Sequence, residues 1–240
     1  MSNRIRIFTR VVFLTLAALT CHLTSHAQLT IFNIPSTDTV SKRSFYLEGD
    51  FATKPVRFRS KGFRTYGYKA VYGLNNKTEI GGNFFFTRSS GELFGEIQLG
   101  AKRKLYNNER RGIAVAAGTL IYVPLKSFSG ARSSALMYSN ISKNFKKLRG
   151  LRTTVGAYTV LGGGGKSYGT KSGFMIGVEK PVSKRITFIA DWFTGKNRLG
   201  YSAAGISFAV TKRQFFNIGY NFGNSGAGNN ALSFLYAYTF

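Results

Sequence analysis

The side chains best suited to catalysis in this 240-residue chain are one cysteine and two histidines, and all three lie near its N-terminus. They are Cys21, His22 and His26, inside a segment that we expect to be removed on export. The remaining chain would then contain no thiol and no imidazole. This excludes the usual zinc sites, a histidine-assisted nucleophile and a histidine ligand to haem. We therefore expect no bound metal and no cofactor.

The charged and amide residues that remain are scattered singly along the chain. They could act together only if the fold turned them toward one interior. There they would either line a water-filled path or form a salt-bridge network that closes it, and both alternatives stay open. Glu48 and Lys69 are expected to pair across neighbouring strands. The candidates for this interior are Glu48, Asp50, Lys69, Asn83, Glu96, Gln98, Lys102, Arg152, Asp191 and Asn217.

The composition limits the fold class. The chain is 43% hydrophobic and 15% aromatic, which argues against disorder, and its 28 glycines argue against a helical bundle. Its 34 basic and 9 acidic residues give a net charge of +25, a balance typical of proteins that bind nucleic acid or anionic surfaces. Which of these partners is available depends on where the chain is sent.

Residues 1–27 have the organisation of a cleaved export signal. Three arginines precede a nine-residue apolar core at residues 11–19, and a small-x-small cleavage pattern ends at Ala27. The core is too short for a membrane-spanning helix, which needs about 20 apolar residues. We expect the mature chain to begin at residue 28 with a net charge of +22. Export argues against nucleic acid as a partner and leaves lipid phosphates as a plausible one.

From residue 44 to the end, about twelve stretches alternate between apolar and polar residues, with turn-like clusters between them. In one of them Phe216, Ile218 and Tyr220 alternate with Asn217 and Asn221. Successive side chains of a strand point to opposite faces, so each stretch predicts a strand with one apolar face. The chain is therefore predicted to be all-β and antiparallel.

Two architectures fit strands of this kind. A soluble sandwich or lipocalin-like barrel would turn the apolar face inward, whereas a transmembrane barrel would turn it toward lipid. An even number of strands and aromatic residues near strand ends favour an up-and-down transmembrane barrel of twelve strands. Ten strands would remain if residues 133–144 and 195–210 did not span the membrane. The aromatic residues near strand ends are Tyr66, Tyr72, Phe86, Trp192 and Tyr238.

The last nine residues carry an apolar or aromatic side chain at every second position and end in phenylalanine. This pattern resembles the C-terminal strand signal of bacterial outer-membrane β-barrel proteins. The resemblance implies residence in the outer membrane and recognition by the barrel-assembly machinery. The residues that carry it are Leu232, Phe234, Tyr236, Tyr238 and Phe240.

The resemblance also predicts how the chain is organised. Residues 28–43 would be a periplasmic segment, and residues 44–240 would form the barrel with both ends at its periplasmic rim. Asn75 and Asn76 would form a tight turn at this rim, because asparagine tolerates the positive φ angles that two-residue hairpins favour. The connections at the opposite, outer rim are short, none much longer than ten residues, unlike the inward-folded loops of large porins.

One of the outer connections is strongly basic, with five cations and no acid between residues 54 and 64. It could bind lipopolysaccharide phosphates or attract anionic solutes to a pore mouth, or it could be a solvated loop. Its cations are Lys54, Arg57, Arg59, Lys61 and Arg64.

The function that this sequence favours is a small porin-like passive channel for small solutes, with anions favoured by the charge. A closed barrel that anchors the envelope through lipopolysaccharide is the alternative. An outer-membrane enzyme is disfavoured, because the mature chain lacks histidine and its nine acids are scattered. The expected partners are outer-membrane lipids, lipopolysaccharide and the assembly machinery.

Overall fold

The computed structural model describes residues 29–57, 60–125, 132–164 and 168–240. The predicted export signal at residues 1–27 and Arg59 of the basic loop lie outside the described residues.

Twelve antiparallel strands form a closed barrel, in which each strand pairs with its neighbours in sequence and the first pairs with the last. Residues 133–144 and 195–210, whose loss would have left ten strands, each contribute a strand to this barrel, which confirms twelve strands. The strands are β1 (Phe45–Lys54), β2 (Phe63–Asn75), β3 (Thr78–Ser89), β4 (Glu92–Asn108), β5 (Ile113–Pro124), β6 (Ser134–Phe145), β7 (Leu151–Gly162), β8 (Ser172–Pro181), β9 (Ile186–Phe193), β10 (Tyr201–Ala209), β11 (Gln214–Gly223) and β12 (Ala231–Thr239).

The apolar face of the strands is on the outside. Tyr68 and Phe174 are 61% and 63% exposed, and they belong to a belt of exposed apolar side chains that includes Leu99, Ile141 and Ile206. Exposure of so large an apolar surface to water is unfavourable, whereas contact with the hydrocarbon of a membrane is favourable. The barrel is therefore transmembrane, and its closure leaves no strand edge unpaired in lipid. None of the helical turns in the described ranges is long or apolar enough to cross a membrane.

The turn between β2 and β3 is present, but its backbone differs from the prediction. Asn75 and Asn76 do not adopt positive φ angles. Instead, the register shifts between Gly73 and Asn75, and the Asn75 side chain accepts a hydrogen bond of 2.9 Å from the N–H of Lys77. The side-chain bond and the bulge close this turn without the left-handed backbone.

Residues 29–40 lie inside the barrel, although the sequence predicted only a periplasmic segment ahead of it. A short hairpin spans residues 29–36, with a bridge between Thr30 and Pro35 and a hydrogen bond of 2.9 Å from the N–H of Ile31 to the carbonyl of Ile34. The chain then runs back to the periplasmic rim and joins β1. We call residues 29–40 the inner segment.

The inner segment and the wall share two apolar clusters. Ile31 and Ile34 are fully buried against side chains of β5 to β9, among them Tyr138 and Met175. Leu29 and Val40 pack in a second cluster with residues of β1, β2, β11 and β12. Part of the lumen is thus a packed core.

Candidate functional site in the barrel lumen

The structure places all ten interior candidates on the inner face of the wall. Their strands bring some of them together and leave others apart. Asn217 is fully buried on β11, and neither polar atom of its side chain has a hydrogen-bond partner among the described residues. The other nine are Glu48, Asp50, Lys69, Asn83, Glu96, Gln98, Lys102, Arg152 and Asp191, and each lines the lumen cavity or contacts the inner segment or a luminal partner.

The luminal cations are paired with acids of the wall. Glu48 and Lys69 face each other across β1 and β2 and form the ion pair that the sequence predicted. Lys102 Nζ lies 3.0 Å from Glu79 Oε1, and both side chains are at least nine-tenths buried. Arg152 Nε lies 3.6 Å from Glu179 Oε2. Breaking such a pair would leave a buried charge without a partner, so the two side chains of each pair hold one another in place.

A chain of polar contacts crosses the outer part of the lumen. Asn83 donates to Gln98, and Gln98 donates to Glu96, each at 2.9 Å. Glu96 in turn accepts two hydrogen bonds of 2.6 Å from Arg198, which belongs to the connection between β9 and β10. The Arg198 guanidinium also lies 4.9 Å from the ring centre of Tyr122. A short outer loop therefore does reach into the lumen.

The role of Arg198 could not be predicted, because the residue lies in a short loop between two strands with no motif around it. Burial alone would lower the pKa of its guanidinium, but the hydrogen bonds and charge of Glu96 outweigh burial and hold the pKa above its usual value. The guanidinium is therefore a fixed positive charge at the outer end of the lumen.

The tip of the inner segment is held by one carboxylate. Asp191 Oδ2 on β9 accepts hydrogen bonds from three successive backbone N–H groups, those of Phe32, Asn33 and Ile34, at 2.8, 2.6 and 2.9 Å. The Asn33 side chain adds bonds of 3.3 Å to Asp191 and 2.9 Å to Asn221. Successive N–H groups that converge on one anion form a nest, which binds negative charge well.

The returning half of the inner segment is bound mainly to β6 and β7. Thr37 Oγ1 lies 2.6 Å from Ser142 Oγ of β6, and Asp38 forms an ion pair with Arg152 of β7. Nearer the periplasmic rim, the N–H of Val40 donates to Glu79 at 2.7 Å.

Glycines in the wall make room for the hairpin. A Cβ on Gly177 would lie 2.4 Å from Cδ1 of Ile31 and 2.9 Å from Cδ1 of Ile34. A Cβ on Gly219 would lie 2.7 Å from the ring of Phe32. At these positions the inner segment occupies the space that the missing side chains leave.

Beside the inner segment, a cavity of about 330 Å³ remains on the side of β1 to β5. Arg198 bounds it toward the outer rim, and the tip residues Phe32 and Asn33 bound it on one side. Its wall carries three acids and three bases together with amides and aromatic rings. The charged residues are Glu48, Asp50, Glu79, Lys69, Lys102 and Arg198.

Apart from Phe234, which borders the cavity, the other predicted residues lie away from it. Arg57, Lys61 and Arg64 are exposed around the connection between β1 and β2 at the outer rim, and Lys54 ends β1 there. The five C-terminal candidates lie on the outward-facing register positions of β12 and just after it. The N–H of Phe240 donates to the carbonyl of Phe45 at 2.8 Å and extends the seam at which the barrel closes.

Comparison of the sequence with models of protein families and with curated proteins finds no match. The structure is similar to the KdgM porin solved in complex with disordered oligogalacturonate, with a TM-score of 0.58 and 9% identity over 82% of this chain and 99% of that one. The NanC porin gives a TM-score of 0.54 and 12% identity over 81% and 98%. Outer membrane phospholipase A from Escherichia coli gives 0.48 and 14% over 91% and 94%. The chain thus has the fold of the bacterial outer-membrane β-barrels.

Proposed function

We propose that this protein is a small porin-like channel of the bacterial outer membrane that passes small polar solutes. The observation that carries the proposal is the cavity inside the lumen, which runs from Arg198 near the outer rim to the Lys102–Glu79 pair in the periplasmic half. A barrel that serves only as an anchor needs no such polar interior space. The similarity in fold to the KdgM and NanC porins supports the same function.

The charges suggest where an anion preference would arise. The cavity wall carries three acids and three bases, so it has no excess of positive charge. The exposed cations of the β1–β2 connection lie at the outer rim, where they would raise the local concentration of anionic solutes. Anions would therefore be attracted at the mouth rather than selected inside, and lipopolysaccharide phosphates would compete for the same cations.

A closed anchoring barrel is the second candidate, and a specific observation favours it. The inner segment occupies part of the lumen from the periplasmic rim to Asp191 and packs in two apolar clusters with the wall. We favour the channel because this segment, apart from its continuation into β1, is held in the lumen by noncovalent contacts. We propose no enzymatic activity, since residues 28–240 lack histidine and cysteine and the luminal acids other than Asp50 are used in ion pairs or in holding the inner segment.

Planar-bilayer recording of the purified full-length protein tests the proposal. A channel would give discrete openings in potassium chloride, and liposomes that contain the protein would swell in small sugars. Removing the mouth charge with Arg57→Gln, Lys61→Gln and Arg64→Gln should shift the reversal potential toward cations without abolishing the openings. A membrane-inserted, heat-modifiable barrel that never conducts under any condition would favour the anchoring function.

A further inference from the structure

The lumen carries a plug made by its own chain. We propose that the inner segment closes the channel at rest, and that the channel opens when the contact between the hairpin tip and Asp191 breaks and the segment moves away as a unit. This inference rests on the proposed function, because a plug regulates only a lumen that can conduct.

The inner segment reaches across the lumen rather than along one side of it. It contacts Glu79 and Lys102 on β3 and β4, and Ser142 and Arg152 on β6 and β7. Its tip contacts Asp191 on β9 and Asn221 on β11. A segment bound to strands around most of the barrel blocks straight passage from one rim to the other.

The periplasmic end of the cavity is closed by the same segment. Lys102 Nζ lies 3.4 Å from the carbonyl oxygen of Leu29, and the Lys102–Glu79 pair is joined by the N–H of Val40. Leu29 and Val40 add apolar side chains at this level. Withdrawal of the segment would therefore open the cavity toward the periplasm.

The wall is built to keep its charges paired when the segment leaves. Glu79 would keep Lys102, Arg152 would keep Glu179, and Glu48 and Lys69 pair without the segment. Asp191 differs, because within the described part of the chain its hydrogen bonds all come from residues 32–34. Among these acids, Asp191 is thus the one whose hydrogen bonds depend wholly on the segment, which identifies it as the latch.

The segment is tethered where it leaves the lumen. The N–H of Arg43 donates to the carbonyl of Gly73 at 2.8 Å, and the N–H of Gly73 donates to Ser44 at 3.0 Å. These bonds fix the chain to the end of β2 at the periplasmic rim. Release of the tip would leave the segment attached at this point, so that it can return.

A disulfide that locks the segment tests the proposal in the full-length protein. Thr37 and Ser142 have short side chains whose oxygens lie 2.6 Å apart, a separation that suits a disulfide after Thr37→Cys and Ser142→Cys. The one native cysteine, Cys21, lies in the predicted export signal. Oxidation should suppress openings in planar bilayers, and reduction should restore them. The two single-cysteine variants are the controls and should not respond to redox conditions.

Variants of the latch test the other half of the proposal. Asp191→Ala leaves three backbone donors without an acceptor. The open probability should rise at least about tenfold, because that factor corresponds to the free energy lost with one charge-assisted hydrogen bond. Asp191→Asn keeps one acceptor oxygen and should have a smaller effect. Glu109→Gln removes an acid from a turn outside the lumen and should change nothing. Oxidising the cysteine pair in the Asp191→Ala background should return the open probability to the locked level.

The outcomes separate the plug from the channel. If the oxidised and reduced proteins conduct equally, the plug proposal is overturned and the channel stands. If no variant conducts, including Asp191→Ala, both proposals are overturned. Heat-modifiable mobility shows whether each variant has folded, and the disulfide arm decides the question if Asp191→Ala does not fold.

Discussion

Arg198 and Glu96 join opposite sides of the barrel at the outer end of the lumen. The guanidinium of a loop residue donates two hydrogen bonds, each of 2.6 Å, to a carboxylate on β4. The two strands next to that loop, β9 and β10, are not neighbours of β4 in the closed sheet. The pair therefore bridges the outer mouth of the lumen, and its geometry depends on the planar guanidinium of arginine.

Replacing Arg198 should change conductance and selectivity separately. Arg198→Ala removes both the contact with Glu96 and the positive charge. The conductance of each opening should therefore rise, and the reversal potential should move toward cation selectivity. Arg198→Lys keeps the charge but loses the two-point contact, so conductance should rise with selectivity nearly unchanged. Single-channel recording in a potassium chloride gradient measures both quantities. Identical reversal potentials for the two variants would contradict a role for the charge.

The two faces of β3 should respond oppositely to an added cation. Phe84 lies on the outer face opposite Tyr68, with its ring 4.3 Å from that of Phe86. Phe84→Arg places a charge in hydrocarbon and should destabilise the barrel by about 2–4 kcal/mol. Unfolding titrations in lipid vesicles measure this change.

The matched variant is one residue away on the inner face. Asn83 donates to Gln98 and lines the cavity, so Asn83→Arg should cost little stability and should shift selectivity toward anions. Equal destabilisation by the two variants would show that the interior near Asn83 is packed too tightly to accept the longer side chain.

The barrel could be predicted from the sequence because the signal is local. Alternation along single strands sets which side chains face out, and it correctly gave twelve strands and the pairing of Glu48 with Lys69. Neighbouring strands joined by short turns leave little freedom of register. The prediction of positive φ angles at Asn75 and Asn76 was wrong, because a bulge and a side-chain hydrogen bond close that turn instead.

The inner segment could not be predicted in the same way. Its contacts join residues far apart in sequence, such as Ile34 with Asp191, and depend on which glycines of distant strands face inward. Leu29, Ile31, Ile34 and Val40 were a usable sign, because an exposed periplasmic stretch has no need of four large apolar side chains. Nothing in the sequence indicated that Arg198 would cross the mouth to Glu96.

The C-terminal strand is expected to matter more for assembly than for the finished barrel. Phe240 is 57% exposed, and its backbone N–H extends the seam between β12 and β1. Phe240→Asp should sharply lower the amount of folded protein in outer membranes, measured by heat-modifiable mobility on gels. Phe45→Asp is the control, because it places the same charge on the other strand of the seam. Similar losses from both variants would mean that the charge acts through the seam rather than through a terminal signal.

Gly177 gives a test of how closely the wall fits the hairpin. Gly177→Val adds carbon atoms where Ile31 and Ile34 already lie, since even a Cβ would be within 2.4 Å of Ile31. Overpacking of this kind usually costs about 1–3 kcal/mol, so the free energy of unfolding in lipid vesicles should fall by that amount. The hairpin should also be displaced, which would lower the yield of the Thr37–Ser142 disulfide after both are replaced by cysteine.

Gly49→Val is the matched control for this prediction. Gly49 lies on the exposed outer face of β1, and a Cβ there would have no heavy atom within 4 Å. Valine also has a higher strand propensity than glycine. This variant should therefore be neutral or slightly stabilising and should leave the disulfide yield unchanged. If Gly177→Val proved as harmless as Gly49→Val on both measures, Ile31 and Ile34 would have to be free to move away from β8. The inner segment would then be a loose occupant of the lumen, held by Asp191 and its other polar contacts without a fitted wall.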